Sequence, residues 1–179
     1  MNETTANPLF DAVMPFITEK AHFIIPLVLL WLVLFWKAGR RGRIVAFLTL
    51  VVIAISDQMS AHVLKSIFSR ERPPYALEGV RLLVDTTRSF SFPSAHAANG
   101  LAVASFVSSF YPRTKLALYL VATLVAYSRV YVGVHYPLDV IGGAALGLLI
   151  GFSAAALSRR ALRLEPASGR KPCQDVTSR

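Results

Sequence analysis

With 179 residues, 54% of them hydrophobic and only 16% charged, and a mean hydropathy of +0.51, the chain falls outside the range of soluble domains and reads as a single membrane domain. Its net charge of +9 comes from basic residues set between apolar blocks, which argues against a folded nucleic-acid surface and for anionic lipid as the partner. A single cysteine, Cys173, excludes an internal disulfide framework and offers no metal cluster.

Residues 1–20 are polar and then mixed, with Leu9, Phe10, Val13, Met14, Phe16 and Ile17 spaced to give one apolar side. This predicts an interfacial helix rather than a signal peptide, since neither a basic start nor a small-residue cleavage site flanks the apolar stretch. Blocks of the length a hydrocarbon core requires follow at about 21–36, 44–64, 93–111, 116–130 and 138–157. The fold class expected is therefore all-α: a bundle of five membrane spans over 21–157, preceded by the interfacial helix. Residues 158–179 are basic, without apolar periodicity, and are expected to form a disordered cytoplasmic tail. The basic stretch Lys37–Arg43 reads as a cytoplasmic loop, which puts the start of the chain outside and the tail inside a bacterial plasma membrane. The same parity brings 65–92, the start of the third span and 129–139 together on the outer face.

Gly143, Gly147 and Gly151 recur every four residues in the fifth span and read as a helix-packing stripe. Asp57 and Gln58, polar groups inside a span, read as inter-helix hydrogen bonders, and His62 as a supporting group near the site. Leu77 to Val84 sets Leu77, Val80, Leu82, Leu83 and Val84 among charged residues and can lie in the interface as a lid.

The stretch from Ser128 to Asp139 presents Arg129, His135 and Asp139 within twelve residues. If Pro137 opens a new helix, Asp139 lies about one turn beyond His135 and can hold an imidazole N–H, aiming the other ring nitrogen. Read alone, the stretch also fits a helix-connecting turn with an Arg–Asp ion pair and a buried histidine. Lys65 and Arg72 stand at the exit of the second span, where Pro73 stops the helix. Ser94 and His96 open the third span, where free backbone N–H groups attract anions. No cluster of acidic ligands for Mg²⁺ accompanies these groups.

Three motifs in this order, Lys65-x6-Arg72-Pro73, Pro93-Ser94-x-His96 and Ser128-Arg129-x5-His135-x3-Asp139, resemble the type 2 phosphatidic acid phosphatase and vanadium haloperoxidase superfamily. The resemblance covers Lys65 through Asp139. It departs from the family at Ala95, often glycine there, and in five rather than the common six spans. It implies a membrane lipid phosphatase that needs no metal or cofactor, with His135 as nucleophile through a phosphohistidine, Asp139 fixing its tautomer and His96 as acid and base. Lys65, Arg72, Ser94 and Arg129 would hold the phosphate oxygens. Substrates implied are of the undecaprenyl diphosphate, phosphatidylglycerol phosphate, phosphatidate or lipid A 1-phosphate type. The alternatives are a lipid phosphotransferase, a haloperoxidase, or a non-enzymatic lipid-binding or transport protein.

Overall fold

In a computed structural model, residues 6–37 and 39–162 are described, and the remainder of the expected tail lies outside them. The described chain is helical, with no strand among the described residues. Helix α1 spans Pro8–Thr18, α2 Lys20–Lys37 and α3 Gly39–Asp57; a π-helical stretch, Gln58–Leu64, continues directly into α4, Lys65–Phe68. A short α5, Pro73–Ala76, interrupts the following loop, and α6 (Ala95–Phe110), α7 (Lys115–Tyr131) and α8 (Pro137–Leu162) complete the bundle.

Helix α6 is the axis, packing most extensively on α8, then on α7 and α3. Apart from Leu101, its buried residues are small over the first half, Ala97, Ala98, Gly100 and Ala102, so neighbouring backbones approach closely. The glycine stripe of α8 is the matching half. A Cβ at Gly147 would fall on the carbonyl oxygen of Ala98, and one at Gly151 on Ser105 Oγ. Phe106 and Phe110, with Val45, Val52 and Ala155, fill the wider end of the bundle. Outside, large apolar side chains stay exposed over successive turns: Leu116 and Leu120 on α7, Leu149, Phe152 and Leu157 on α8. Such rows in an ordinary solvent would be a liability and suit a bilayer.

Two runs are long and apolar enough to cross a membrane by length and composition, Gly39–Ala76 and Pro137–Leu162. Helices α6 and α7, of 16 and 17 residues, fall short of the usual ~20. The bundle is as expected, then, while five full spans are not established by helix length.

Two expectations change. The basic stretch is no extended loop, because α3 is helical from Gly39. Arg41 there donates from Nη2 to Phe110 O at 2.9 Å, and Arg159 near the end of α8 donates to Ser109 O at 2.6 Å. Both cations therefore satisfy carbonyls that the last turn of α6 leaves open, at its negative dipole end. Helix α8 also continues through Ser158–Leu162, residues that composition assigns to the tail. The remaining polar stretches, with the three motifs, gather at the opposite end.

Candidate active site

Proline sets the key geometry. Pro137 opens α8, where its missing N–H costs nothing, and places Asp139 in the first turn. The Asp139 carboxylate accepts from Tyr136 N at 2.8 Å and lies 3.5 Å from His135 Nδ1. Ser91 Oγ donates to the same oxygen, and Arg70 Nη1 pairs with the other at 2.9 Å. A fully buried carboxylate is thus saturated with donors and held rigidly against the imidazole. The ion pair anticipated for this stretch exists, but its cation is Arg70 rather than Arg129.

The other ring nitrogen, His135 Nε2, faces Arg72 Nη1 at 3.3 Å. Arg72 is itself fixed by Ser89 O at 2.8 Å, Ser89 Oγ at 3.0 Å and Val134 O at 3.1 Å. Burial pushes the His135 imidazole down to about 4, so the ring is neutral at physiological pH and Nε2 keeps a lone pair, which faces Arg72. Neutral, oriented and beside a fixed cation, it is arranged as a nucleophile.

His135, Arg72, Lys65, Arg129 and His96 line one cavity of about 1180 Å³. Lys65 and Arg72 are buried, and buried cations demand an anion. Ser94 sits behind the cavity wall, its N–H on Asp139 O at 2.9 Å and its Oγ buried without a partner. The π stretch serves this cavity. Four-residue steps along an α-helix drift by about 40°, and the wider π turns offset the drift. Ile53, Asp57, Ala61 and Lys65 consequently all line it.

Four contributors escaped sequence reasoning: Arg70, Ser91, Ser89 and, on α1, Thr18. The Thr18 hydroxyl accepts from Arg129 Nη1, and Asp11, about two turns earlier on the same helix face, accepts from Tyr131 Oη at 2.6 Å and pairs with Arg81. Helix α1 is therefore bolted to the catalytic end, with Leu9, Val13 and Phe16 left facing out. Only Arg70 and Ser91 carried any signal, lying within or beside the motifs. Asp57 does make an inter-helix bond, accepting from Asn99 Nδ2 at 3.1 Å, whereas Gln58 is exposed. His62 is exposed and not part of the cavity lining, contrary to its expected supporting place. Leu82, Leu83 and Val84 of the expected lid do line the cavity.

The sequence profile of the PAP2 superfamily matches residues 44–163, which include every motif residue. The chain belongs to the PAP2 superfamily. It is 31% identical over 153 residues to a lipid A 4'-phosphatase of Porphyromonas gingivalis, covering 81% of this chain and 64% of that protein. It is 29% identical over 148 residues to the undecaprenyl-diphosphatase BcrC of Bacillus subtilis, covering 82% of this chain and 74% of that protein. Among solved structures, the transmembrane PAP2-type phosphatidylglycerolphosphate phosphatase of Bacillus subtilis superposes with a TM-score of 0.70 at 28% identity, over 89% of this chain and 82% of that one. By name, then, the two curated relatives are a phosphatase of lipid A and a diphosphatase of undecaprenyl diphosphate, and the solved structure is a transmembrane phosphatase.

Proposed function

We propose that this PAP2 protein is an integral membrane lipid phosphatase working through a phosphohistidine on His135. The observation that carries the reading is the His135 ring itself. One nitrogen lies against a buried Asp139, and the other faces Arg72 inside a cavity that also holds Lys65, Arg129 and His96. The Nε2 lone pair attacks phosphorus as the bond to the lipid oxygen breaks, and His96 gives that oxygen its proton. Water then attacks phosphorus, His96 takes the water proton, the N–P bond breaks and inorganic phosphate leaves. Lys65, Arg72 and Arg129, with the first N–H groups of α6, hold the equatorial oxygens as charge develops on them, whereas Ser94, expected to join them, is buried behind the cavity wall.

Substrate is a lipid phosphate whose chains stay in the bilayer. The catalytic end lies opposite Arg41, Arg113, Lys115 and Arg159, so the positive-inside rule places it at the outer leaflet, with the C-terminus inside. Phosphate release in detergent tests the activity, and trapping of labelled phosphate on protein tests the intermediate. His135→Ala should trap none, and Asp139→Asn should lose about 10⁴-fold in rate, as when a triad loses its orienting carboxylate. Near-normal turnover in either variant would remove His135 from the nucleophile's role. Activity should withstand EDTA and be inhibited by vanadate; an enzyme silenced by chelation and restored by Mg²⁺ would follow a different chemistry.

A further inference from the structure

Arg72 Nη1 lies 3.3 Å from His135 Nε2, and a guanidinium can only donate, so Nε2 is the acceptor and the ring proton sits on Nδ1, toward Asp139. The lone pair read as the nucleophile is therefore engaged by Arg72. Attack on phosphorus requires that N–H to turn to a phosphate oxygen instead. One residue of the loop before α6 holds Arg72 across the ring. Ser89 accepts from Arg72 Nε through its carbonyl at 2.8 Å and from Nη2 through its hydroxyl at 3.0 Å. This two-point grip on one edge of the planar fork leaves Nη1 aimed at Val134 O, 3.1 Å away, and at His135 Nε2. The grip is braced in turn: Thr87 Oγ1 stands 2.9 Å from the Ser89 hydroxyl, and Ser91 N donates to Arg70 O at 2.7 Å, so the two segments run side by side. Arg72 is buried, whereas Ser89 is exposed and lines the cavity on the loop that also supplies Leu82 to Thr87.

From this geometry we propose that Ser89 is a positioning residue for phosphoryl transfer, whose grip keeps one Arg72 N–H on the His135 lone pair until a phosphate oxygen takes it. The proposal rests on the reading of His135 as the nucleophile. Arg72 thereby does two things from one pose. It masks the imidazole against neutral electrophiles, which offer no anionic oxygen to draw the guanidinium away. It releases the imidazole to a phosphate ester, whose charged oxygens are stronger acceptors for a guanidinium than a ring nitrogen is. Discrimination between anionic and neutral electrophiles is thus built into the contact, and it depends on a hydroxyl that never touches the reacting atoms.

Diethyl pyrocarbonate, a small neutral acylating reagent for imidazole, reads the mask directly, because His135 lines the cavity and peptide mass spectrometry follows each histidine separately. In the full-length Ser89→Ala protein, kcat/KM for a lipid phosphate should fall about fivefold or more as Arg72 loses its hydroxyl anchor. Acylation of His135 should at the same time become several-fold faster, with His96 in the same cavity and the exposed His62 unchanged. Ser89→Thr, which retains the hydroxyl, should return both values toward those of the unmodified protein. The opposite signs separate this role from a structural one, since general damage slows turnover without baring one chosen histidine. An unchanged rate of His135 acylation, an unchanged kcat/KM, or equal acceleration at all three histidines would overturn the proposal, as would a Ser89→Thr protein no better than Ser89→Ala. Each of those outcomes leaves His135 as nucleophile. Full turnover by His135→Ala would instead strike at the catalytic reading on which the proposal rests.

Discussion

Burial decides the protonation state of His135, and this sets the acid side of the pH profile. A free imidazole would begin to protonate near 6.5, whereas this one, desolvated and facing Arg72 and Arg129, holds off to about 4. The kcat/KM of the enzyme should therefore stay high as pH falls through 6 and decline only toward 4; loss centred at 6.5 would show a solvated nucleophile. Stability follows the same group with a definite sign. Between about 4 and 6.5 the unfolded chain binds a proton at His135 that the folded one refuses, so the contribution is complete above 6.5 and is lost as pH falls from there. Arg70 acts one step back from the chemistry. Its guanidinium pairs with Asp139 and lies 3.9 Å over the Tyr136 ring, clamping the turn that carries His135. Arg70→Ala should lower kcat by about tenfold or more and leave KM nearly unchanged, with Arg70→Lys restoring part of it. A change confined to KM would make Arg70 a substrate contact instead.

Among the helices, α1 and the α6–α8 pair carry separate duties. Helix α1 lies outside the part of the chain matched to the family, yet its Thr18 accepts from Arg129, the residue proposed to bind phosphate. Thr18→Val removes the acceptor while keeping the shape, so KM for lipid phosphate should rise several-fold and Thr18→Ser should restore it. Unaltered KM in Thr18→Val would reduce α1 to a structural strut. The α6–α8 contact instead concerns folding. Gly147→Ala puts a methyl on the Ala98 backbone, and forcing the helices apart should cost about 1–3 kcal/mol, read as faster thermal inactivation in detergent with kcat per folded molecule preserved. Full stability in that variant would mean that the two helices do not approach as described. The glycine stripe was readable because it repeats within one helix. Pro137 announced the start of α8 and with it the His135–Asp139 spacing. The Thr18 bond was not readable, because it joins positions 111 residues apart, and neither periodicity nor local propensity encodes such a contact. Arg41 misled in a related way, since a basic run at a helix start looks like a loop until the α6 carbonyls it satisfies are in view.

Over the whole molecule, polarity is divided between two ends, and the division predicts orientation. Arg41 and Arg159 close the carbonyl end of α6, while the N-terminal end of the same helix, with Ser94 and His96, meets the cations of the site. One short axis thus has its negative pole capped by protein and its positive pole at the cavity that Ala95 and His96 line. Basic residues at the capped end that are not spent on substrate are the ones a translocating chain leaves in the cytoplasm. In the proposed orientation, a lipid phosphate would reach the other end sideways from the outer leaflet, past Leu82, without its chains leaving the bilayer. In a Cys173→Ser background, a cysteine introduced at the exposed Glu78 should react with a membrane-impermeant thiol reagent on intact cells. One introduced at Arg160, exposed at the far end of α8, should react only after the cells are opened. The opposite labelling order would turn the protein over in the membrane and make its substrate an inner-leaflet lipid, with the chemistry at His135 unchanged.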